Sequence, residues 1–141
     1  MIRNITIVCA ATALSLCLLS AHGAEKKGID VSKLPPASTK TGVTYATDIK
    51  PIFDKTCARC HGAEKPKARL RLDSLPAALK GGESGKVVTP GNSAGSMLVG
   101  CVAHVGNPDG YMPPPKNKAN LLPLTKEEIG LIRAWIDQGA K

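Results

Sequence analysis

A chain of 141 residues has the length of one domain, and any segment removed on export reduces the core it can build. Aromatic residues make up only 3%, one Phe, one Trp and two Tyr, so large rings alone do not fill the centre of so small a domain. A formal net charge of +8 with so few aromatics points to a solvated surface or to acidic protein partners, and away from nucleic acid.

The amino terminus carries Arg3, a largely apolar stretch from Ile5 to Leu19, and the small residues Ala21 and Gly23 on either side of His22, which is the layout of a secretory signal. Residues 1–23 are expected to be removed, leaving Ala24 as the first residue. The apolar stretch is shorter than the about 20 residues that span a bilayer and is broken by Thr and Ser, so a retained anchor is disfavoured. The protein is therefore expected in the periplasm or otherwise exported, with no stable membrane insertion after cleavage. Residues 24–42 contain Lys26, Lys27, Lys33, Lys40 and Pro35-Pro36 without a sustained apolar period and read as a flexible leader. The folded domain is expected over 43–141.

Within it, Ile49, Ile52, Phe53 and Thr56 recur at helical spacing, with Asp48 placed as an N-cap and Pro51 in the first turn, predicting a helix that runs into Cys57. Ser74 to Lys80 predicts a short helix closed by Gly81-Gly82. Ser93 to His104 predicts another, with Met97, Leu98, Cys101 and Val102 on its apolar face. Thr125 and Glu128 form a capping-box pattern ahead of the stripe Ile129, Ile132, Trp135 and Ile136, and Gly139 ends that helix. No strand pair is predicted, so the fold class is all-α.

Cys57-Ala58-Arg59-Cys60-His61 is the pattern of covalent haem attachment. Two residues between the thiols put both sulfurs one helical turn apart, in reach of the two vinyl groups on one porphyrin edge, with the next histidine beneath the iron. At this chain's own Cys and His frequencies the pattern arises by chance about 0.004 times, so it outweighs bland readings. Haem c also supplies the missing filling for the core. Once Cys9 and Cys17 leave with the signal, Cys57, Cys60 and Cys101 remain, an odd number that a disulfide scaffold does not explain. A thioredoxin-like pair lacks its strand context here. A structural zinc module built on Cys57, Cys60, Cys101 and His104 is the more serious alternative, although it leaves His61 unused.

An electron carrier fills the sixth iron position, and a thioether there favours the reduced state. Met112 is the candidate, because Pro113-Pro114-Pro115 stiffens the loop that would hold its sulfur. Met97, on a predicted apolar helix face, reads as core packing. His104 would give a bis-histidine site, and an open position would suit a haem peroxidase or a ligand-binding sensor. Cys101 reads as a small buried hydrophobe. Gly81-Gly82-Glu83-Ser84-Gly85-Lys86 has phosphate-loop spacing one residue short, with Val87 where a magnesium-binding hydroxyl is needed, and reads as a flexible loop. Lys65, Lys67, Arg69 and Arg71 are candidates for a docking rim or for plain solvated surface.

From about Thr44 to Lys141 the chain resembles the planctomycete-type cytochrome c domain, a branch of the class I c-type cytochromes. The resemblance rests on Asp48 to Phe53, Cys57 to Gly62, Leu70-Arg71-Leu72-Asp73, Gly81 to Gly85, Pro90-Gly91, Met112-Pro113-Pro114, and Leu131 to Ala140 with Trp135. It implies a small all-α fold whose first and last helices cross, bringing Ile52 or Phe53 near Ile132 and Trp135. It also implies one covalent haem with His61 and Met112 as axial ligands, and one-electron transfer to redox partner proteins, a dehydrogenase or an oxidase among them, in place of enzymatic catalysis. Cys101 is not something the resemblance predicts.

Overall fold

The structure is a computed structural model, and it describes residues 29–141. The signal over 1–23 and its cleavage ahead of Ala24 lie outside the described residues. No helix among those described is long and apolar enough to cross a membrane.

The described residues are helical, with no sheet and one isolated backbone pairing, between Gly82 and Gly85. Five α-helices follow in order: α1, Lys50–Thr56; α2, Ala58–His61; α3, Leu75–Lys80; α4, Met97–Val102; and α5, Lys126–Asp137. The helical stretch that leads into α1 begins earlier than the pattern predicted. A wide turn over Tyr45–Ile49 precedes α1, capped by Thr44, whose hydroxyl accepts from the Thr47 N–H. Asp48 does not cap from outside; its carboxylate reaches back to accept from the Thr44 N–H at 2.9 Å and pairs with Lys40. Pro51 sits in the first turn of α1, as its missing N–H allows.

The helix predicted over 93–104 forms only from Met97. Its first residues are diverted by their own side chains: Ser96 Oγ donates to Asn92 O at 2.8 Å and accepts from the Thr89 N–H, while the Ser93 N–H and hydroxyl both donate to Asp137. Local serine bonding such as that of Ser96 competes with helix. The best-marked helix, α5, forms as its pattern requires. Thr125 accepts from the Glu128 N–H and Glu128 accepts from the Thr125 N–H, the reciprocal bonds of a capping box.

The core lies where the wide turn and α1 meet α5. Ile49, Phe53, Ile132, Trp135 and Ile136 are fully buried. The rings of Phe53 and Trp135 meet edge-on at 6.4 Å, and Tyr45 lies within 6.1 Å of both. The expected approach of Phe53 to Trp135 is thus present, and three of the chain's four large aromatic rings are spent in one cluster.

Residues 29–42, expected to be a flexible leader, lie against this core. Leu34 is buried, the Ser38 N–H donates to Gly130 O at 2.9 Å, Gln138 donates to Lys40 O at 2.7 Å, and Arg133 donates to Pro35 O. The Pro35 carbonyl is left for a side chain to bond, and two side chains and a backbone carbonyl of the C-terminal region anchor this extended stretch.

Candidate functional site

The end of α1 and the four residues of α2 present the attachment pattern. Cys57 caps α1, and its carbonyl accepts from the Cys60 N–H at 3.0 Å and the His61 N–H at 2.8 Å, so both thiols and the imidazole share one turn. Cys57 and His61 are buried and Cys60 is half-buried. All three line a cavity of about 660 Å³, partly open to solvent, and Met112 lines it from a loop about fifty residues away in sequence. Leu70, Leu72, Val87, Leu98 and Val102 give it apolar walls.

The imidazole is oriented by backbone. His61 Nδ1 lies 3.1 Å from Leu70 O, a contact that places the proton on Nδ1 and leaves Nε2 as the free donor atom of the ring. The segment carrying that carbonyl is itself held. The Leu72 N–H donates to His61 O at 2.7 Å, Tyr45 Oη donates to Leu72 O at 2.9 Å, and Arg71 grips Asp73 through two bonds of 2.9 and 2.6 Å. Leu70-Arg71-Leu72-Asp73 is therefore the strap that fixes His61. The Gly81–Gly85 loop is not a free loop: the Glu83 N–H donates to Ala68 O at 2.8 Å, Glu83 pairs with Arg69, and a Cβ on Gly82 would stand 2.5 Å from Ala68 O. It braces the same strap from behind.

Burial pushes the Cys57 thiol up to about 12, with Cys60 and Glu128 adding to the effect, and burial raises the Cys101 thiol as well. A redox-active dithiol needs a depressed thiol pKa and a preceding strand; Cys57 has the opposite shift and follows a helix. The zinc alternative fails on geometry. Among the described residues no three His, Cys, Asp or Glu side chains come together to hold a metal ion, so Cys57, Cys60, Cys101 and His104 form no Cys₃His set. The three cysteines do not converge, and His104 stands off the cavity, stacked on Tyr111 and 3.2 Å from Pro113 O. The three cysteines are all free thiols.

Two other sequence readings change. Met97, expected in the core, is 43% exposed and stands on the cavity lining at the start of α4. Cys101 lines the cavity too and is only half-buried. Of the four cations considered for a rim, Lys67 alone lines the cavity, whereas Arg69 and Arg71 are paired with Glu83 and Asp73. Arg59, Lys116 and Lys118 join Lys67 on the lining, and none of these four has a carboxylate partner among the described residues. The sequence marks Leu70 only as part of the resemblance and not by role, because its contribution is a backbone carbonyl, which no side-chain pattern reports.

Two free thiols, a pre-oriented imidazole and a thioether around one apolar space of this volume fit a haem, since cofactor sites of about 300–1,000 Å³ are usual. Comparison with known families agrees, for residues 57–116 match the family described as Planctomycete cytochrome C. This segment is similar to a planctomycete-type cytochrome c. The matched segment runs from Cys57 past Met112, taking in the His61 strap and its bracing loop and leaving α1 and α5 outside. Haem c binding and an electron-transfer role come with the family. No curated protein and no solved structure matches the chain.

Proposed function

We propose that this protein is an exported mono-haem c-type cytochrome that passes single electrons between partner proteins, and is not itself an enzyme. The observation that carries the reading is the convergence of Cys57, Cys60, His61 and Met112 on one apolar cavity from segments far apart in sequence. In this reading Cys57 and Cys60 would hold the haem through thioethers, His61 Nε2 and the Met112 sulfur would ligate its iron, and the strap at Leu70 keeps the imidazole in one tautomer. When bound, the haem supplies an iron that alternates between ferrous and ferric. The apolar walls limit water around the haem, while Arg59, Lys67, Lys116 and Lys118, unpaired by carboxylates among the described residues, give the cavity mouth a basic face suited to acidic redox partners such as a dehydrogenase or an oxidase. The contact of Phe53 with Trp135 supports a crossing of the first and last helices, as in class I c-type cytochromes. Residues 1–23 read as the export signal and put haem attachment in the periplasm.

The test is spectroscopic. Matured in a host with haem-attachment machinery, the protein should give a pyridine haemochrome typical of two thioether links and a mass equal to the chain from Ala24 plus one haem. Met112→Ala should abolish the red charge-transfer band of a methionine-ligated ferric haem. A colourless product rejects the cytochrome reading, and a band that survives Met112→Ala rejects the sixth ligand. Loss of the band together with readily bound external ligands in the unmodified protein would favour a peroxidase or a sensor instead.

A further inference from the structure

The helix behind the sixth-ligand loop grips it at three points. The Met112 N–H donates to Cys101 O at 2.9 Å, near the end of α4. Just past that end, His104 Nε2 lies 3.2 Å from Pro113 O, and the same imidazole stacks on the Tyr111 ring with centroids 4.7 Å apart and planes 1° from parallel. A carbonyl only accepts, so Nε2 carries the proton in this contact. One side chain thus touches both sequence neighbours of Met112 while standing off the cavity that Met112 lines. His104 does this from a left-handed backbone conformation, φ 53°, which costs energy for any residue with a Cβ and persists only where surrounding contacts enforce it. Pro113 is buried, and Tyr111 and His104 are half-buried, so both contacts are partly shielded from competing water.

We propose that His104 is a positioning residue for Met112: by holding Tyr111 and Pro113 it brackets the thioether and sets how readily the loop swings away from the haem. The inference rests on the ligation proposed above. Its physical basis is a loop with a closed state, in which the thioether faces the cavity, and an open one. An external ligand reaches the iron only in the open state, so its apparent affinity is reduced by the fraction of time the loop is open. Removing the bracket enlarges that fraction without touching either axial residue.

The experiment adds imidazole to the haem-loaded, ferric full-length protein and follows loss of the red charge-transfer band. His104→Ala should bind imidazole about tenfold more tightly than the unmodified protein, equivalent to about 1.4 kcal/mol. His104→Phe keeps a ring for Tyr111 without the hydrogen bond, and His104→Asn keeps an N–H donor without the ring; each should fall between, the partial rescue that a general loss of stability does not give. These two also carry the test should His104→Ala fail to fold. Met112→Ala is the control. If its band survives, the ligation reading is what fails; if its band is lost yet all three His104 variants bind imidazole with unchanged affinity, the inference is overturned.

Discussion

Tyr45 shows how far the haem site reaches into the fold at the scale of one residue. It is 5% exposed, its ring packs on Phe53 and Trp135, and its hydroxyl donates to Leu72 O, the strap that orients His61. Burial lifts the phenol to about 12, with Asp54, Asp73 and Cys57 contributing. The folded protein therefore holds the proton more tightly than the unfolded chain. The stability this brings is fully present below about pH 10, the unfolded value, and is lost as pH rises through about 12. Tyr45→Phe keeps the ring cluster but leaves Leu72 O without its donor, which should cost about 1–3 kcal/mol in urea unfolding at pH 7. Its stability should also fall less steeply than that of the unmodified protein between pH 10 and 12; parallel curves would show that the phenol does not supply the linkage. The side chains of the attachment pattern were readable from spacing alone, because two thiols and a histidine in five residues admit few other chemistries. The strap was visible only as a resemblance, since what it supplies is a carbonyl.

Among elements, legibility followed where the stabilising contacts are. Helix α5 carries its own cap and stripe, and both appear as read. Helix α4 loses its first turn to serine side chains: Ser96 bonds locally to Asn92 and Thr89, while Ser93 bonds to Asp137 of α5, outside any local window. The packing of residues 29–42, the described part of the expected leader over 24–42, is hidden from the sequence for a similar reason: it has no periodicity because its polar contacts are made by backbone groups against another helix. Gly130 is central to that contact, since a Cβ there would stand 2.8 Å from Pro36 O, a backbone atom with little freedom to move. Gly130→Ala improves helix propensity by about 1 kcal/mol, yet the overpacking it causes costs about 1–3 kcal/mol. The expected result is a net loss of stability accompanied by faster proteolysis between Ile29 and Gly42. A more stable variant with unchanged proteolysis would show that the segment does not press on α5.

At the scale of the whole molecule, the aromatic cluster and the cavity divide the interior between them. One end is closed by Tyr45, Phe53 and Trp135, and the other is an apolar space of about 660 Å³ lined by residues from α1, α2, α4 and three loops. At about 24 cal/mol per Å³ of cavity, leaving such a space unfilled costs up to about 16 kcal/mol, an upper bound for a cavity partly open to solvent. That bound is no smaller than the about 5–15 kcal/mol by which domains are usually stable. The short helices α2, α3 and α4, of four to six residues each, have no stability of their own to set against it. Cys57→Ala combined with Cys60→Ala, exported in a host that supplies haem, should therefore give a chain that loses its helical circular dichroism gradually on heating, with no cooperative transition. Helix α5 would be the last to go, since its cap and stripe act locally. The same variant unfolding in one sharp step near the temperature of the haem-loaded protein would mean that the polypeptide closes the space by itself, and that the haem is cargo in a finished fold, not part of the core.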